Sequence, residues 1–112
     1  MRRSKYSAIK TKVDGITFDS KLEAKRWAEL RLLASAGEIK QLRHHVRYEL
    51  IALGGGIIGK YEVDFTYFEK APKGDAWHEV FEDCKGVITP LAKWKIKHFE
   101  SQYGTIVRIV RK

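Results

Sequence analysis

At 112 residues, 44% of them hydrophobic and 12% aromatic, the chain is long enough for one domain with a modest core and too short for two. It has no run of about 18 apolar residues that would span a membrane, and its single cysteine rules out an internal disulfide, so a reducing cytoplasm is the expected compartment. The net charge of +8 is unevenly placed, with +7 in residues 1–47, −4 in residues 48–88 and +5 in residues 89–112; basic flanks suit a phosphate backbone and an acidic centre suits a metal ion.

The chain opens Met1-Arg2-Arg3-Ser4-Lys5, which has the charge of a signal peptide without the apolar stretch that would follow. Residues 1–17 read as a basic, partly extended arm ending in the turn signal Asp14-Gly15, with residues 18–112 as a single folded domain. Ser20 followed by Glu23 is a capping box and predicts a helix, with Trp27, Leu30 and Ala34 as its apolar stripe and Gly37 as its stop. Residues 39–52 alternate Val46, Tyr48 and Leu50 against Arg47, Glu49 and Ile51, the period of a strand. Gly54-Gly55-Gly56 turns the chain into a second strand over residues 57–68, and Ala71-Pro72-Lys73-Gly74-Asp75 leads to a third over residues 77–85. Gly86 lets the chain leave the sheet. Thr89-Pro90 starts a second helix carrying Leu91, Trp94, Ile96 and Phe99, Gly104 stops it, and the β-branched run from Thr105 to Val110 forms a last strand. The expected fold is α/β of the mixed α+β kind, a central mixed sheet flanked by two helices in the order helix, three strands, helix, strand.

Two segments carry chemistry. Asp64 stands in the middle of the hydrophobic strand Tyr61-Glu62-Val63-Asp64-Phe65, where a carboxylate is disfavoured unless its face is wet or it has a task. Asp83-Cys84-Lys85 follows at the end of the next strand. Alternation puts Asp83 and Lys85 on one face and Val80, Glu82 and Cys84 on the other. If the two strands pair as a hairpin, Asp64 and Asp83 come together beside Lys85. That set suits a divalent cation and a water to be activated; the alternative is an ordinary surface Asp–Lys pair. Glu23 shares the helical stripe of Trp27 and Leu30, where it can cap the helix, face the sheet, or do both. His44-His45, His78 and His98 show no metal-ligand spacing and read as structural or surface residues. Lys93, Lys95 and Lys97 on the second helix can follow a phosphate backbone or solvate a helix face.

A helix bearing Glu23, a strand bearing Asp64, a strand ending in Asp83-x-Lys85, and then a helix: this order resembles the PD-(D/E)XK nuclease superfamily over roughly residues 18–110. Phe18-Asp19-Ser20-Lys21-Leu22-Glu23 is similar to the opening helix of endonuclease I-type Holliday junction resolvases, and the whole chain looks like a small phage and prophage family with a similar Glu82-Asp83-Cys84-Lys85-Gly86 strand. Val63 replaces the hallmark proline, and Asp83 stands where glutamate is commoner. The resemblance implies a restriction-endonuclease-like αβββαβ core. It also implies a Mg²⁺ (or Mn²⁺) centre ligated by Glu23, Asp64, Asp83 and the backbone carbonyl of Cys84, with Lys85 assisting the water.

The expected activity is metal-dependent endonucleolytic hydrolysis of DNA, structure-selective for branched DNA because the chain has no room for a sequence-reading domain. Symmetric junction cutting implies a homodimer. Arg2, Arg3, Lys5, Lys10 and Lys12 of the arm, with Lys93, Lys95 and Lys97, are the expected DNA contacts. The competing expectation is a non-catalytic basic DNA-binding module on the same fold, or a basic structural protein; the placement of the acids speaks against both.

Overall fold

The structure, a computed structural model, describes residues 10–111. Its elements are β1 (Thr11–Val13), β2 (Ile16–Phe18), α1 (Lys21–Ser35), β3 (Ile39–Ile51), β4 (Ile57–Lys70), β5 (Trp77–Cys84), α2 (Pro90–Tyr103) and β6 (Val107–Val110). The fold is mixed α+β, a four-stranded mixed sheet with a separate two-stranded sheet and two helices.

Local chemistry sets the element ends. Ser20 Oγ accepts the Glu23 backbone N–H at 3.1 Å, and Thr89 Oγ1 accepts that of Ala92 at the start of α2, where Pro90 takes a position that has no intrahelical N–H bond to lose. After α1, Gly37 adopts φ +77° and Glu38 N–H reaches back to Leu33 O. Gly104 ends α2 in the same left-handed way. Part of the expected arm is built differently. Residues 11–18 form the β1–β2 hairpin around Asp14 and Gly15, both with positive φ, as a type I′ turn requires. Val13, Ile16 and Phe18 pack against the core, so this stretch belongs with the packed body. Lys10 and Lys12 are exposed there, whereas Arg2, Arg3 and Lys5 lie outside the described residues.

In the main sheet the order is β3-β4-β5-β6, antiparallel except for the parallel pair β5–β6 that α2 connects. Val80 packs with Trp27 and Leu30 of α1, and its neighbour Phe81 packs with Ile96 and Phe99 of α2. Adjacent strand residues point to opposite faces, so the two helices cover opposite faces of the sheet.

Two irregularities shape the centre. On β4, Tyr61 and Val63 belong to the α2 cluster while Phe65 and Tyr67 belong to the α1 cluster. Residues two apart should share a face, so the strand changes faces at Asp64. There the β3–β4 ladder passes from His44–Phe65 to Val46–Val63, and His45 between them has φ +52°. Secondly, the β4–β5 ladder ends at Phe65–Glu82, while β5 goes on pairing with β6 as far as Cys84–Val110. The sheet forks where Asp64 and Asp83 stand.

Candidate metal centre

The fork explains how a carboxylate is tolerated inside β4. Past Phe65–Glu82 the backbone amides of the two strands lose their ladder partners, and side chains replace them. Asp64 N–H donates to Asp83 Oδ1 at 3.0 Å, and Cys84 N–H donates to Asp64 Oδ2 at 2.8 Å. The second oxygen of Asp83 accepts the Tyr61 hydroxyl and lies 3.8 Å from Lys85 Nζ. Asp83 and Lys85 thus meet as alternation requires.

Glu23 reaches the same place from α1. Its backbone N–H belongs to the Ser20 cap, but its carboxylate, almost fully buried, bonds His45 Nε2 at 2.5 Å. The donor atoms of Glu23, His45 and Asp64 all lie within 4.8 Å of one another. Ligands around one small divalent cation are separated by roughly 4.2 Å at most, so this trio needs little movement to close on an ion. Asp83, wholly buried, stands directly behind it with both oxygens already accepting hydrogen bonds. Of the sequence-derived set, the structure gathers Glu23, Asp64, Asp83 and Lys85 at the fork, with Cys84 between the last two. His45, which the sequence reads as a structural or surface residue, stands with them, its ring nitrogen within 4.8 Å of the Glu23 and Asp64 carboxylates. A signal for it existed: a hairpin folded between Gly54 and Gly55 sets residue 45 opposite residue 64.

Electrostatics follow from burial. Desolvation, then the charges of Asp83 and Glu23, push the Asp64 carboxyl up to about 7, against the Cys84 N–H and Lys85. Burial also raises Glu23, with His45 opposing, and raises Asp83, opposed by Tyr61, Lys85 and the Asp64 N–H. For His45 burial works downward, yet the bond and charge of Glu23, helped by Glu62 and Asp64, hold it above the usual range. Burial and the neighbouring His45 lower His44. Burial and four surrounding carboxylates push the Cys84 thiol up, which makes it a poor nucleophile.

Glu82 lies on the α1 side of the sheet, opposite to Asp83 and Lys85. Arg26 Nε and Nη2 donate to its two oxygens at 2.7 and 2.9 Å, and the Tyr67 hydroxyl donates to Oε2. This half-buried pair clamps α1 to β5. Beside it, Lys21, Lys25 and Arg26 of α1 and Arg111 after β6 line a basic groove, with Glu29 on its wall. Lys93 and Lys97 are exposed and Lys95 half-buried on α2, across the sheet from α1.

No helix among the described residues is long and apolar enough to cross a membrane. No curated protein and no solved structure matches the chain. The family model described as "Protein of unknown function (DUF1064)" matches residues 3–111, nearly the whole length, and the chain belongs to that family.

Proposed function

We propose that this protein is a divalent-cation-dependent DNA endonuclease of the PD-(D/E)XK kind, acting on branched or duplex DNA in the cytoplasm. The observation that carries the reading is the fork itself, where Glu23, Asp64, Asp83 and Lys85 arrive from α1, β4 and β5 at one point. The donor chemistry, the carboxylates of Glu23 and Asp64, fits a divalent cation. Such a cation, Mg²⁺ or Mn²⁺, supplies charge on the scissile phosphate and an acidified water. Glu23 and Asp64 offer it oxygens. Asp83 orients Asp64 through the Asp64 N–H and fixes the Lys85 ammonium, which is left to hold the attacking water or the charge developing on phosphate. The basic groove of Lys21, Lys25 and Arg111 gives the backbone a path beside α1. Paired cuts across a junction would need two centres, hence a homodimer.

The test is incubation of the purified protein with a four-way junction, a linear duplex and single strands, each with Mg²⁺, Mn²⁺ or EDTA. Metal-dependent cleavage is expected, strongest on the junction. Asp64→Asn and Asp83→Asn, made separately, should each lower it by at least about 100-fold with DNA binding retained, since several kcal/mol of transition-state stabilisation rests on the centre. Binding without cleavage under every condition would instead favour a non-catalytic DNA-binding module.

A further inference from the structure

His45 has no part in the reading above, and its placement asks for one. It lies in the middle of a long strand yet holds φ +52°, a left-handed conformation that a non-glycine residue seldom adopts. That twist directs Nε2 to Glu23 Oε1 at 2.5 Å and within reach of Asp64. The other ring nitrogen, Nδ1, lies 3.4 Å from Nδ1 of His44. A metal-bound histidine characteristically ligates through one nitrogen and hydrogen-bonds through the other; Nε2 of His45 stands among the Glu23 and Asp64 oxygens, and its Nδ1 is within hydrogen-bond distance of His44. The three donors come from α1, β3 and β4, so their meeting is a product of the tertiary fold.

We propose that His45 Nε2 is a ligand of the same cation as Glu23 and Asp64, and that this makes the centre selective for Mn²⁺ and its transition-metal neighbours over Mg²⁺. The inference rests on the metal-centre reading and goes beyond it. Mg²⁺ prefers an all-oxygen octahedron and gains little from an imidazole, whereas first-row transition cations bind nitrogen well, with affinity rising from Mn²⁺ towards Cu²⁺. Two carboxylates and one imidazole form a mixed set that retains hard character and adds a nitrogen.

The experiment is Mn²⁺ binding to the full chain, followed by calorimetry and by electron-spin-echo detection of nitrogen coupled to the bound ion. Protein grown with ordinary histidine is compared with protein grown with ¹⁵N-histidine. Nitrogen modulation that changes with the label is expected, and Mn²⁺ should bind at least about tenfold more tightly than Mg²⁺. His45→Asn keeps a residue type that tolerates positive φ. It should abolish the modulation and weaken Mn²⁺ by about 10- to 100-fold while changing Mg²⁺ by less than about threefold. Mn²⁺ bound without histidine modulation overturns the proposal, as does an equal loss for both metals, which would make His45 a positioning residue, or no Mn²⁺ binding at all. Should the variant fail to fold, the labelled wild-type spectrum decides alone. Histidine-coupled Mn²⁺ without DNA cleavage removes the nuclease reading and leaves this one standing, and cleavage with histidine-free Mn²⁺ does the reverse.

Discussion

Asp64 is the carboxyl least suited to its surroundings. Asp83 is more deeply enclosed but is compensated by the Tyr61 hydroxyl, an amide and an ammonium, while Asp64 has the Cys84 amide and faces Asp83 and Glu23. Because its folded pKa, about 7, lies above the ordinary 3.8, the folded protein holds a proton that the unfolded chain has released between those values. Stability without metal therefore falls as pH rises from about 4 to about 7 and then levels, by an amount on the order of 4 kcal/mol from this group. Asp64→Asn removes the buried charge, and its side-chain oxygen can still accept from Cys84 N–H. In EDTA at pH 8 the variant should melt several degrees above the native protein, with the gap closing towards pH 4. Mn²⁺ or Mg²⁺ should raise the native melting temperature and leave the variant nearly unmoved. A variant that melts lower at pH 8 in EDTA would show that Asp64 is not strained by its neighbours.

Among the elements, α1 matters most, since Glu23 sits on it and Arg26 fastens it. Arg26→Met keeps much of the apolar stem but leaves the buried Glu82 carboxylate without its cation, which should cost about 3 kcal/mol in urea unfolding. Arg26→Met with Glu82→Met should regain most of that; no recovery would mean that the pair is needed for more than charge balance. How legible these elements were in the sequence depends on how locally each is determined. The helix ends at Ser20, Gly37, Thr89-Pro90 and Gly104 are settled by side chains within a few residues, and all are where the sequence put them. The shared face of Asp83 and Lys85 follows from strand period alone. The position of His45 beside Glu23 and the face change at Asp64 depend on where β4 parts from β5 and on α1 docking above, contacts far apart in sequence. The β1–β2 hairpin was half legible: Asp14-Gly15 announced the turn, but three-residue strands are too short to show a period.

For the molecule as a whole, charge placement gains a direction from the fold. The α2 lysines were the expected phosphate contacts, yet α2 covers the face opposite α1, and Lys95 is half-buried. The groove beside α1 sets Lys21, Lys25 and Arg111 on the side of Glu23. Replacing those three by glutamine should flatten the slope of log affinity for DNA against log salt by about 2–3 units, close to one per lost phosphate contact. Replacing Lys93, Lys95 and Lys97 should change it less. The reverse order would move the DNA to the α2 face.

The centre draws its parts from residues 23 to 85, and this sets when it can exist during folding. The β3–β4 and β4–β5 hairpins close over short loops and can form early, which brings His45, Asp64 and Asp83 together. Glu23 joins only when α1 docks, fixed by a clamp whose two residues are 56 positions apart. A cation that needs Glu23 therefore recognises the finished fold and little that precedes it. In stopped-flow experiments Mn²⁺ should slow unfolding in proportion to its saturation and leave the refolding rate almost unchanged, so that the metal acts as a latch on the native state. Faster refolding in Mn²⁺ would mean that α1 is already in place at the rate-limiting step.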